Sequence, residues 1–226
     1  IHMKKYLLHV LIISFVFLLA PTVQVATYAG EVEDAKEEVR KNPDDADAHN
    51  NLGVAYNNSG RHEDAIESLK QAIRIDPDNA DAHYNLGVVC GESAMYEEAI
   101  ESYKQAIRIH PDFVEAHSNL SLAYYLLGNY KKAIESYKQA IRLDPDNAYA
   151  HDNHGLAYIR SDKHKEAIES CKQAIRLNPD DAGAHFNLGL AYVFSNDKDS
   201  AAEEYEILKS IDTELANKLF NAIYYK

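Results

Sequence analysis

Small and apolar side chains recur along this chain in paired blocks with helical spacing. With Ala46 taken as position 1 of a block, positions 7, 8 and 11 hold Leu52, Gly53 and Tyr56, and positions 20, 24 and 27 hold Ala65, Leu69 and Ala72. Steps of three and four residues place each trio on one helical face. The small members let two helices approach closely, and the large ones fill the space so left. Between the trios, position 15 is Gly60, and the same place in later blocks holds Ala94, Gly128, Asp162 and Asn196. Four of these five residues tolerate the left-handed conformation that ends a helix. Asp-Pro at 76–77 and 144–145 stops the second helix, because a residue before proline avoids helical geometry. The pattern predicts helix, tight turn, helix, short loop.

The block repeats with a fixed period. Prolines stand at 43, 77, 111, 145 and 179, 34 residues apart each time, and histidine recurs at 49, 83, 117, 151 and 185 on the same interval. Lys-Gln-Ala-Ile-Arg appears unchanged at 70–74, 104–108, 138–142 and 172–176. Such self-similarity marks a repeat array. It sets five repeats at 46–79, 80–113, 114–147, 148–181 and 182–215. Position 7 reads Leu52, Leu86, Leu120, His154, Leu188; position 8 reads Gly53, Gly87, Ser121, Gly155, Gly189; position 20 is alanine throughout. These columns resemble the tetratricopeptide repeat over about 170 residues. The resemblance implies an all-α, right-handed α-solenoid of tandem helix-turn-helix repeats. Single hairpins cannot bury their apolar faces alone, so the ends need covers. Residues 30–45 predict an N-terminal partial repeat helix (Glu31 to Asn42), and 213–226 a C-terminal capping helix with Leu215, Leu219, Phe220 and Ile223 on one stripe.

In that family the first helices line a concave groove, with positions 2, 5, 6, 9, 12 and 13 facing it. Here position 6 is Asn51, Asn85, Asn119, Asn153 and Asn187. A side-chain amide both donates and accepts, so a row of them suits an extended peptide backbone, as in related proteins. Scaffolding between helices is the other reading of the row. The N-terminal part of the face is acidic and polar, with Asp47, Asp81, Glu92 and Glu115; the C-terminal part is apolar, with Tyr125, Tyr149, Ile159, Phe186 and Phe194. Clustered apolar groups on a groove mark a binding site, and aromatics anchor it. The expected function is therefore a non-catalytic scaffold that binds a peptide or partner protein with a basic and an apolar portion. The Lys and Arg clamp by which chaperone-binding relatives hold a C-terminal carboxylate is missing, and Arg160 is the only base at these positions.

Composition narrows the partner. The net charge is -13, which disfavours nucleic acid. Residues 1–29 contain two lysines, no acid and an apolar stretch from Leu7 to Ala20, and so predict a secretory signal peptide, or a signal anchor if uncleaved, behind an Ile1-His2 cloning remnant. Ala29 is the expected cleavage point, and the domain is expected to be exported, periplasmic or extracellular. Membrane contact is expected only through an uncleaved N-terminal segment.

Three other functions compete with this reading. A histidine row invites a metal, but repeats spaced by helix packing stand too far apart for ligands at about 2 Å, which leaves only His151 and His154 as a pair. No metal or other cofactor is expected. Phosphate loops, HExxH and nucleophile elbows are all missing, and Cys90 and Cys171 replace core residues, so no enzyme is expected. Self-assembly into a homo-oligomer is the remaining alternative, since near-identical repeats can stack end to end.

Overall fold

The computed structural model describes residues 28–225, and the expected leader lies outside them apart from Tyr28 and Ala29. The described residues divide into two compact units, 28–93 and 94–225. In the first, α1 (28–41) precedes α2 (Ala46–Asn58), α3 (His62–Ile75) and α4 (Ala80–Glu92). In the second, α5 (Tyr96–Ile109), α6 (Val114–Leu126), α7 (Tyr130–Leu143), α8 (Ala148–Arg160), α9 (His164–Leu177), α10 (Ala182–Phe194), α11 (Lys198–Ile211) and α12 (Thr213–Tyr224) follow. The fold is all-α and of solenoid type, with no strand among the described residues. None of these helices is long and apolar enough to cross a membrane.

Local chemistry sets each boundary. Four of the five first helices start at an Asx cap: Asp45, Asn79, Asn147 and Asp181 accept backbone N–H bonds from the opening turn. The third, α6, begins at Phe113, which makes no such bond. Second helices close on Asp76, His110, Asp144 and Asn178, whose ψ of 89° to 97° is what the following proline demands. All five position-15 residues have positive φ: Gly60 75°, Ala94 57°, Gly128 79°, Asp162 60° and Asn196 63°. Alanine thus takes a left-handed turn that glycine accepts without strain.

Close approach depends on the small residues. A Cβ on Gly53 would lie 2.5 Å from Leu69, and one on Gly155 2.5 Å from Cys171 Sγ. In the last repeat the residue over Gly189 is Leu219, supplied by α12. Leu219 is buried with Ala201, Leu208, Ala216 and Ile223, and Phe186, Leu190 and Tyr205 pack against that cluster. At the other end, Val32 and Ala35 of α1 cluster with Leu52 and Ala55 of α2.

The histidine column has a single structural explanation. Nε2 of His49, His83, His117, His151 and His185 lies 2.9–3.1 Å from the carbonyl oxygen of Pro43, Pro77, Pro111, Pro145 and Pro179 respectively. A carbonyl only accepts, so Nε2 carries the proton and donates. Each histidine ties the loop before its helix to that helix, six residues on. Among the described residues no group of three or more His, Cys, Asp or Glu could hold a metal ion.

Candidate peptide groove

Within the second unit the backbones of α6 and α8, and of α8 and α10, approach closely, whereas those of α5, α7, α9 and α11 do not approach one another as closely. A stack whose first helices pack together and whose second helices stand apart bends towards the first. The row α6, α8, α10 is therefore the concave face of this unit. In the first unit α2 and α4 are in contact in the same way.

The asparagine row is partly occupied by the protein itself. Asn85 Nδ2 donates to Asn50 Oδ1 at 2.9 Å, and Asn187 Nδ2 donates to Asp152 Oδ1 at 2.9 Å, each 35 residues back in the preceding repeat. Asn153 Nδ2 donates to the Tyr149 carbonyl of its own helix at 2.9 Å. Asn51 is exposed, Asn85, Asn119 and Asn153 are half-buried, and Asn187 is buried. Further polar braces run through the first unit, where Asn57 bonds Glu92 at 2.9 Å and Asn79 bonds Asp47 at 3.0 Å.

The apolar candidates differ in what they expose. Tyr149 is 52% exposed, Phe194 42% and Leu126 49%. Tyr125 is half-buried and its ring sits 5.4 Å from that of Tyr130. Phe194 stacks on His164 at 5.5 Å. Phe186 is half-buried against the C-terminal cluster, and Ile159 is buried, so its side chain belongs to the floor and offers little surface to a partner. Arg160, the lone base of the row, gives Nε and a second guanidinium N–H to Tyr130 Oη at 3.3 and 3.1 Å.

Beneath this face lies a polar set that column-wise reading did not single out. Burial raises the Asp152 carboxyl to about 6, against a lowering from the Asn187 bond, and Asp181 adds a smaller rise. The Tyr137 hydroxyl is fully buried without a hydrogen-bond partner, and burial pushes its pKa far up. His154 occupies the leucine position: Nδ1 lies 3.2 Å from Ser170 Oγ while its buried Nε2 has no partner. Burial, followed by the charges of Lys138 and His151, lowers it to about 4. Cys171 is buried with its thiol pushed well up, so it carries no thiolate chemistry. Sequence did carry one signal for this set: Asp152 is the only acid at position 5, beside Asn50, Tyr84, Ser118 and Phe186.

The profile described as TPR repeat matches residues 55–92, 95–128, 122–162 and 155–193, and those described as tetratricopeptide repeat match 35–67 and 182–213. The chain belongs to the tetratricopeptide-repeat family. A search of curated proteins returned no match. Among solved structures it is similar to YrrB, described as a TPR protein with an unusual peptide-binding site (22% identity, 84% of this chain and 99% of that one, TM-score 0.73). It is also similar to MamA (26% identity, 74% and 97%, TM-score 0.69) and to PilF of Pseudomonas aeruginosa (22%, 80% and 92%, TM-score 0.64). Tetratricopeptide arrays serve in general as protein-interaction scaffolds, and that coarse role holds for this tetratricopeptide protein.

Proposed function

We propose that this tetratricopeptide protein binds an extended peptide segment of a partner along the concave face of α6, α8 and α10, without catalysing a reaction. The observation that carries the reading is the exposure of Tyr149 and Phe194, 52% and 42%, on a face that also presents Tyr125 and Leu126. Large apolar groups left open on a groove gain free energy only when something covers them. Asparagine oxygens beside them are acceptors for the N–H groups of an extended chain. That YrrB, which shares the fold, is described as having a peptide-binding site supports the reading. In this proposal the protein acts outside the cytoplasm, directed there by the basic-then-apolar residues 1–29.

The test is selection from a phage-displayed library of random dodecapeptides on the immobilised full chain. Peptides should be enriched, and Tyr149→Ala should weaken the best of them about tenfold, as truncating an aromatic anchor does. A control at an exposed residue of α9, Glu169→Gln, should leave binding unchanged. No enrichment, or binding that responds to Glu169 and not to Tyr149, would sink the proposal.

A further inference from the structure

We infer that the groove of the second unit selects a cationic side chain, with Asp152 as the carboxylate that receives a lysine or arginine of the bound peptide. This rests on the peptide-groove reading above and adds what the groove discriminates.

The geometry around Asp152 carries it. Asp152 is half-buried and no cation is among the groups acting on it; among the described residues its one hydrogen-bond donor is Asn187, on Oδ1. Oδ2 faces Gly183, where an added Cβ would lie 3.8 Å away. Other repeats place Asp47, Asp81, Glu115 and Tyr149 at the Gly183 position, so the missing side chain leaves that oxygen approachable. Asp181, the neighbouring carboxylate, is already committed to the N–H groups of Gly183 and Ala184. The only base on this row, Arg160, is held by Tyr130 and does not serve as an internal counterion.

A second observation points to the same floor. The Tyr137 hydroxyl, 0% exposed, has no partner, and the groups that act on it are Tyr149, Tyr125 and Asp152. A buried hydroxyl without a bond is a site that lacks something. A lysine or arginine supplies the Asp152 carboxylate with a donor and a countercharge together, where a neutral side chain supplies only a donor and an acidic one repels it. The flanking Tyr149 offers a ring face for the aliphatic stem and the charge. The chain's net charge of -13 acts in the same direction at longer range.

The experiment extends the selection above with Asp152→Asn, which keeps an acceptor for Asn187 and removes only the charge. Peptides recovered on the wild-type chain should carry Lys or Arg next to apolar residues, and replacing that residue by Gln should weaken them about tenfold. On Asp152→Asn the Lys and Gln peptides should bind within about twofold of each other. A melting temperature for the variant at or above wild type shows that its fold is kept. Recovered peptides without a cationic preference, or a preference that Asp152→Asn retains, would overturn this inference and leave the groove reading standing. No recovered peptide at all would overturn both.

Discussion

At the scale of single residues, two titratable groups, the buried His154 and the half-buried Asp152, pull stability in opposite directions with pH. His154 sits at about 4 in the folded chain, below its ordinary 6.5, because burial disfavours its charge. Between those values the unfolded chain binds the extra proton, so this residue's contribution is complete above about 6.5 and is lost as pH falls through about 4. Leucine holds the same position in the other four repeats. His154→Leu should therefore raise stability by about 1–2 kcal/mol at pH 7, by removing an orphaned ring nitrogen. It should raise it further at pH 5, as read by urea denaturation at the two values. Asp152 has the opposite sign. Its carboxyl is raised from 3.8 to about 6, so stability is complete below 3.8 and declines as pH rises through about 6. Asp152→Asn should melt higher than wild type at pH 7.5 and no higher at pH 4. A variant that gains stability while losing cation preference is the mark of a residue retained for binding at a cost to folding.

At the scale of the element, the repeated lock from histidine to the loop proline carbonyl is the least obvious device. Its two columns are plain in the sequence as periods of 34, but a period shows that residues recur and not what they touch. Coupling appears only once the loop folds back far enough to bring Nε2 within 3.1 Å of the carbonyl. Nitrogen-15 NMR at pH 8 should show the Nε2–H tautomer for His49, His83, His117 and His151, and an Nδ1–H tautomer at these sites would remove the lock. His117→Ala should lower stability by about 1 kcal/mol, the worth of one hydrogen bond. The turns supply a complementary case. Ala94 holds a φ of 57° that Gly60 and Gly128 hold freely, so Ala94→Gly should stabilise by about 1 kcal/mol, with a higher urea midpoint as the readout. Helix count, hairpin pairing and the small-residue seams were legible in the sequence because each is restated in several repeats. The polar floor was not, because Asp152 and His154 are departures from their columns and Tyr137 is hidden in a residue type that the column allows. Ile159 shows the same limit: position 12 nominates it for the groove, and its neighbours bury it.

At the scale of the whole molecule, the question is how far the loss of one contact spreads. Repeat arrays are stabilised by nearest-neighbour interfaces, so damage at one end should remain near that end. Leu219 offers a clean test. It is 0% exposed, it fills the space over Gly189 that position 24 fills in earlier repeats, and it joins α12 to α10. Leu219→Ala should cost about 2–5 kcal/mol locally, since the glycine backbone has no side chain with which to close the cavity. Hydrogen exchange should then show protection lost in α10, α11 and α12, with α6 and α7 near wild type. Because Phe186 and Leu190 pack on the same cluster, the C-terminal end of the peptide groove should loosen with it, while the surroundings of Tyr149 on α8 keep their protection. Uniform loss from α5 to α12 would instead mean that the second unit opens as one cooperative body, and a mutation anywhere in it would then disturb the groove as much as one beneath it.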